Sequence, residues 1–522
     1  MPKDTRQQQS YDEMLASQTL LLQKNSLLES ENVELKRQIA WFQKQIFGSK
    51  SERRHVDDNP HQIPLNGLVT ETAPDVVPAT ETITYQRGKA KKQRPEECVN
   101  DSGLRFTADV PVEVITLPAP ELQGPDADQY EVISTKTIHR LAQRPASYVV
   151  LRYELPVVKR KSTGKLINMR TPAAVFDQSI ADVSFLVGLL TDKFLYHLPL
   201  YRQHQRLQQA GITLSRATLT HLTKRAIDLL RPIVEAQLRN ILLSKVLAMD
   251  ETPIKAGPAG KGKMKTAWYW PVYGQDDEIV FTYSPSRARQ HIDDTLGQYF
   301  NGTLISDGYA AYARYAKQTS GVTHAQCWTH TRRQFVEAEA AEPDAVATSL
   351  NYIGKLYAVE AEIEAKQLSG ENKREYRLEH SQPVIAAFLQ GCELQCQTGN
   401  LLPDNPLQQA INYTLKRTNA LKVFLEDPDV PLDTNHLERA LRPIPMGRRN
   451  WLFCWTEIGA AHVGIIQSLI CTCKLHDVDP YTYLVDVLQR VSLHPASDVA
   501  SLTPRLWKEK FADSPMRSDL YR

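Results

Sequence analysis

The chain of 522 residues is poor in cysteine, with seven in all and a single one, Cys98, between residues 96 and 170. A structural zinc site needs about four Cys or His ligands, commonly with a pair at CxxC spacing. Cys98 with His139 falls short of that set, so no structural zinc is expected. An odd cysteine count in a long chain favours reduced thiols over a disulfide frame. Long apolar runs are missing too, and none approaches the roughly 18–20 residues that span a bilayer. The first ten residues, Met1-Pro-Lys-Asp-Thr-Arg-Gln-Gln-Gln-Ser10, lack the apolar core of a signal peptide. The expected location is therefore cytoplasmic. An excess of one charge sign is also absent: the formal net charge is +2.

A hydrophobic content of 42% with 23% charged residues is that of a soluble globular protein. The length exceeds one compact core and predicts about three or four domains. The distribution of charge says more than its sum. Arg87–Arg94, Lys159–Lys165 and the set Arg439, Arg442, Arg448 and Arg449 are basic clusters in a balanced chain. They read either as solvated segments or as suppliers of the phosphate contacts that dominate DNA affinity.

Over residues 1–48, Met14, Leu21, Leu28, Leu35 and Phe42 recur at one heptad position, while Asn25, Asn32, Ile39 and Ile46 fall at its partner. Leucine at d with asparagine at a predicts a parallel coiled-coil dimer; the plainer reading is one amphipathic helix. Residues 49–95 hold Pro, Asp, Thr and basic residues without a period, as a linker does. Residues 96–175 change to β texture, with strands expected at 110–117, 130–134 and 147–155. Residues 176–240 read as helical. Leu200–Gln209, a turn at Ala210-Gly-Ile and a second helix capped by Ser215 suit a helix-turn-helix, a pairing also common in proteins that bind no DNA. In the DNA-reading version Ser215, Arg216, Thr218, Thr220, His221 and Lys224 face the groove.

From 245 onward, strands are expected at 245–249, 266–273, 278–283, 302–306 and 323–327, with helices at 286–298, 309–318 and 328–342. Three successive strands, then helix, strand, helix and strand, form the order of an RNase-H-like α/β core. It is assigned to 241–342 and 431–458, with a helical insertion at 343–430 and a helical tail at 459–522. The fold class is thus multidomain α+β.

Three acids stand out within this order. Asp250 ends the apolar run from Lys245, Asp307 ends the run from Gly302, and Glu438 lies in Asn435-His-Leu-Glu-Arg-Ala-Leu-Arg-Pro443. Open sheets place ligands at the carboxyl ends of their strands, so Asp250 and Asp307 can meet there and be joined by Glu438 from a later helix. Three convergent carboxylates suit two Mg²⁺ or Mn²⁺ ions, which clamp the attacking and leaving oxygens of a displacement at phosphorus. Arg439 and Arg442 would then hold scissile or flanking phosphate. Trp268, Tyr269 and Trp270 read either as base-stacking residues or as core; Trp451, beside Arg448 and Arg449, is the better DNA candidate.

These residues resemble the insertion sequence 66 family of bacterial transposases. The resemblance runs through Tyr196-His-Leu-Pro-Leu-Tyr-Arg202, Met249-Asp-Glu-Thr-Pro253, Ser306-Asp-Gly-Tyr-Ala-Ala-Tyr312 and Cys327-Trp-Thr-His-Thr-Arg-Arg333. It continues in Asp433–Pro443, Gly447–Phe453 and Ser468–Pro480. It implies a DDE triad of Asp250, Asp307 and Glu438 acting on the ends of a mobile element and on target DNA, with small accessory proteins as further partners. The family's zinc-binding segment would fall at 96–175, where the cysteine pairs are missing and Lys159–Lys165 could substitute phosphate contacts. Cys327 and His330 are expected to be structural, beside the site. Two other functions are weighed: a transposase-derived DNA-binding regulator without catalysis, and a metal-independent glycosidase, which also needs paired carboxylates.

Overall fold

The computed structural model describes Lys24 and residues 104–144, 147–169, 172–260, 263–297, 300–398, 401–451, 454 and 456–521. The coiled-coil heptads, the 49–95 linker with its basic run, and Cys98 lie outside the described residues.

Chain order begins with β1 (Arg105–Phe106), β2 (Val112–Thr116), β3 (Tyr130–Arg144), β4 (Ser147–Arg160) and β5 (Leu166–Asn168). β4 is the centre of a four-stranded sheet, antiparallel to β3 and β5 and parallel to β2. Alternation of Leu151, Tyr153 and Leu155 buries one face of β4. β3 runs ten residues beyond its expected end at Ser134, to Arg144, because Lys136–Gln143 pairs residue for residue with β4. The Lys159–Lys165 run turns from β4 into β5, where Lys159 faces Glu131 at 3.5 Å and Lys161 donates to the Asp128 carbonyl.

Helix α1 (Val183–Phe194) is capped by Asp182, which accepts from the Ser184 amide. Then α2 (Leu200–Gln209), β6 (Ile212–Thr213) and α3 (Arg216–Ile241) form the expected helix pair, with a short strand in its turn that pairs with β1. Gly211, at φ 77°, makes the turn, and an added Cβ there would collide with Thr107. Ser215 caps α3 by accepting from the Thr218 amide at 3.0 Å.

The second sheet follows: β7 (Val246–Met249), β8 (Thr252–Gly260), β9 (Lys263–Tyr273), β10 (Ile279–Ser284), α4 (Gln290–Leu296), β11 (Gly302–Ser306), α5 (Ala310–Gln318), β12 (Val322–Gln326) and α6 (Trp328–Ala338). Its order is β10-β9-β7-β11-β12, with β7, β11 and β12 parallel and β9 and β10 antiparallel. All five expected strands are present. β8 is an addition that pairs with the first half of β9; two prolines and two glycines in Thr252–Gly260 give it the composition of a turn.

Residues 343–430 carry α7 (Pro343–Ala365), α8 (Gly370–Thr398), α9 (Pro406–Leu415) and α10 (Thr418–Glu426). The Glu438 segment breaks into two helices, α11 (Asn435–Leu441) and α12 (Pro443–Trp451), because Pro443 has no amide to continue the first. Helices α13 (Glu457–Leu475), α14 (Pro480–Arg490) and α15 (Pro504–Lys510) complete the chain order. Against the expectation of no apolar run long enough to span a bilayer, α13 has the length and hydropathy for it, yet 72% of that window is buried in the protein. It covers the free edge of β10: Ser468 and Thr472 hydroxyls accept the amides of Phe281 and Ile279. Edge donors satisfied by helix side chains explain polar residues at its buried positions.

Candidate active site

The parallel pairing of β7 with β11 sets Ile305 beside Ala248. Two residues further along each strand the chain leaves the sheet, and Asp307 and Asp250 stand side by side at adjacent carboxyl ends. The Asp250 carboxyl is pushed up to about 8, first by burial and then by the negative charges of Asp307, Glu251 and, less strongly, Glu438. The Asp307 carboxylate accepts the Tyr309 amide at 2.8 Å, which turns the backbone into α5. The structure therefore brings Asp250 and Asp307 together, with Glu438 near enough to add to the field at Asp250.

Glu438, in the first turn of α11, is held from several sides. Cys327, the N-cap of α6, accepts the amide and hydroxyl of Thr434, the N-cap of α11, at 3.3 and 3.2 Å. His330 Nε2 lies 3.8 Å from Glu438 Oε1. Asp433, one residue before that cap, accepts the Tyr357 and Thr329 hydroxyls at 2.9 and 3.1 Å. Fully buried Arg377 binds Glu360 through two nitrogens, at 2.8 and 2.7 Å, and donates to the carbonyls of Phe424, Asp427 and Val430. Helices α7 and α8 thus anchor the segment that carries Glu438. The insertion also reaches Asp307: Arg417 donates to the Gly308 carbonyl at 2.8 Å. A Cβ on Gly308 would sit 2.4 Å from the Tyr413 oxygen.

Sequence reasoning missed a fourth carboxylate. Glu251 is buried, accepting from Tyr312 at 2.7 Å and from Arg287 Nε at 2.8 Å. The Arg287 guanidinium lies 4.3 Å from the Tyr309 ring centre and 5.0 Å from that of Trp268. Glu251 is thus neutralised by its own partners, while Asp250 has no cationic partner among the described residues. Adjacency to Asp250 and the Tyr309/Tyr312 spacing of one helical turn were the available signals. Tyr269 and Trp270 are fully buried, which corrects the base-stacking reading for both; Trp268 is partly covered by Arg287.

Arg439 and Arg442 are exposed, and neither has a carboxylate partner among the described residues. Arg448 is committed to the Pro253 carbonyl of β8, so it is docked on the hairpin rather than free. The side chains of Arg449 and Trp451 lie outside the described residues. Arg216, Thr220, His221 and Lys224 are exposed along the start of α3, while Ser215 spends its hydroxyl on the cap. They lie on a helix that packs against β10 and α13.

Among the described residues, no group of three or more His, Cys, Asp or Glu side chains is placed so as to hold a metal ion together. The paired Asp250 and Asp307 carboxyls, crowded so that burial and neighbouring acids disfavour the charged form at Asp250 and no cation among the described residues favours it, fit a different kind of ion. Mg²⁺ takes one or two protein carboxylates and completes its shell with water and phosphate oxygens.

Comparison with known proteins identifies the family. The family model described as Transposase IS66 family matches residues 178–462, a span that includes Asp250, Asp307 and Glu438. The chain belongs to that family of transposases. The model of the IS66 C-terminal element matches 468–505, and that described as Transposase C of IS166 homeodomain matches 34–115. Among similar proteins are three from Sinorhizobium fredii. Uncharacterized protein y4qI is 26% identical over 481 residues, covering 89% of this chain and 87% of its own length. Uncharacterized protein y4jD is 29% identical over 65% of this chain and 68% of its own. Uncharacterized protein y4hP is 30% identical over 64% of this chain and 63% of its own.

Proposed function

We propose that the protein is a DNA transposase that binds the ends of its insertion sequence and catalyses strand cleavage and transfer at an RNase-H-like DDE site. The observation that carries this reading is the juxtaposition of Asp250 and Asp307 at the carboxyl ends of adjacent parallel strands, with Glu438 of α11 near enough to raise the Asp250 carboxyl further. Asp250 and Asp307 would hold two Mg²⁺ or Mn²⁺ ions, with Glu438 completing one shell. When bound, such ions activate a water or 3′-hydroxyl nucleophile and stabilise the leaving oxygen.

The rest is done by the chain. Cys327, Asp433 and Arg377 hold the start of the helix that carries Glu438, which limits the reorganisation needed when substrate arrives. Arg439 and Arg442, following Glu438 in the chain, offer donors to the phosphates that flank the scissile one. Exposed Arg216, His221 and Lys224 on α3 contact the element end, and residues 1–48 pair two copies so that each end meets one active site. Action on chromosomal DNA places the enzyme in the cytoplasm. The test is incubation of the full chain with Mg²⁺ and labelled DNA spanning the element's ends, with products mapped to the nucleotide. Breaks at the element boundary leaving 3′-hydroxyls, and their absence in EDTA, are the expected result.

A further inference from the structure

Two motifs have no role in that account: Tyr196-His-Leu-Pro-Leu-Tyr-Arg202 and the end of α13 at Lys474. The structure brings them together. A recess of 620 Å³ lies between α1, α11 and α13, with Arg439, Arg442, Lys474 and His197 among its lining residues. Cys471 of α13 contacts the Ala440 carbonyl of α11, so the recess continues directly from the helix that carries Glu438. Lys474 is exposed without an ion pair among the described residues. The lining also includes one acid, Asp277, whose carboxylate accepts the Tyr273 hydroxyl.

His197 is the informative member. Its backbone is held at φ 57°, a left-handed conformation that a non-glycine residue adopts at a cost. Its Nδ1 is buried with no hydrogen-bond partner among the described residues. Buried polar atoms of this kind are normally satisfied. With that nitrogen unpaired among the described residues and a lysine and two arginines in the same lining, the recess holds polar groups that the protein itself leaves unused.

The geometry points to a groove for single-stranded DNA: Arg439, Arg442, Lys474 and His197 hold the phosphodiester backbone of an unpaired strand leaving the acidic site. This rests on the transposase reading and names where the strand beyond the scissile phosphate lies. A duplex presents its phosphates on a convex surface with the bases stacked inside. A cation-lined recess with apolar lining at Phe194, Leu195 and Met446 suits an extended strand whose unstacked base faces turn inward.

The test uses the full chain in EDTA, so that binding is read without cleavage. A labelled single-stranded oligonucleotide of about ten nucleotides, within the usual site size of such grooves, is titrated by fluorescence anisotropy at several salt concentrations. Lys474→Glu and His197→Ala should each weaken binding, by about tenfold for the charge reversal. The salt slope should fall by about 0.7 for each phosphate the variant no longer holds. Anisotropy with a duplex element end should stay unchanged, and matching thermal unfolding midpoints exclude misfolding. If Lys474→Glu and His197→Ala both keep wild-type affinity and slope for the single strand, the groove is wrong. The two readings separate cleanly: an enzyme without Mg²⁺-dependent cleavage but with a Lys474-dependent strand site would refute catalysis alone.

Discussion

Thr434 donates both its amide and its hydroxyl to the Cys327 thiol, joining residues 107 positions apart in the chain. The bond ties the cap of the Glu438 helix to the cap of the helix that follows β12. Cys327→Ala would leave two buried donors without an acceptor, at a cost of about 1–3 kcal/mol. The variant should unfold at lower temperature and cleave more slowly while binding element ends normally. Cys327→Ser, which keeps an acceptor, should lie between it and wild type. Equal cleavage by Cys327→Ala and wild type would show that this contact does not position Glu438.

Arg377 makes a heavier contribution to the same segment. Removing one partner of a buried ion pair typically costs about 3–5 kcal/mol, and Arg377 also donates to three carbonyls ahead of α11. Arg377→Ala should therefore lower the thermal midpoint more than Glu360→Gln does, because glutamine still accepts from the guanidinium. Calorimetry on both variants checks the order, and the reverse order would mean the carbonyl contacts contribute little.

Gly308 is fixed by a close approach rather than by backbone conformation. Gly308→Ala drives a methyl into the Tyr413 ring, which should displace the Asp307 turn and reduce cleavage. Adding Tyr413→Ala opens the space and should recover part of the activity. A double variant no better than Gly308→Ala alone would show that the collision is not the cause.

The heptads of residues 1–48 lead to a separate expectation about assembly. Charged substitutions at Leu21, Leu28 and Leu35 oppose a packed seam. They should weaken pairing of two element ends more than binding of one, since a linked second module acts at raised effective concentration. Sedimentation with the wild-type chain should report a dimer; a monomer with normal end pairing would remove the coiled coil from the account.

The strands of the central sheet were legible because Val246–Met249 and Gly302–Ser306 are short apolar runs ended by an acid and a turn. Asp250 and Asp307 were legible for the same reason. β8 was not, since Pro253, Gly257, Pro258 and Gly260 imitate a loop and the strand exists through its register with β9 and a bridge from Ala256 to Cys454. The Glu251–Arg287–Tyr312 cluster and the Arg377 clamp were also out of reach. Their partners are separated by long stretches of chain, and no local period marks a pair that meets only after folding. Tyr269 and Trp270 show the converse: their aromatic character was visible, and which face of β9 buried them was set by α13 and the helices across the sheet.

The central claim is that Asp250, Asp307 and Glu438 form one metal-dependent cleavage site. The most direct measurement compares wild type with Asp250→Asn on labelled element-end DNA in Mg²⁺, with DNA binding measured in parallel. Asparagine keeps the shape of the side chain and removes the charge a divalent ion requires. The account predicts loss of cleavage and strand transfer with nearly intact end binding; near-normal Mg²⁺-dependent cleavage by Asp250→Asn would contradict it.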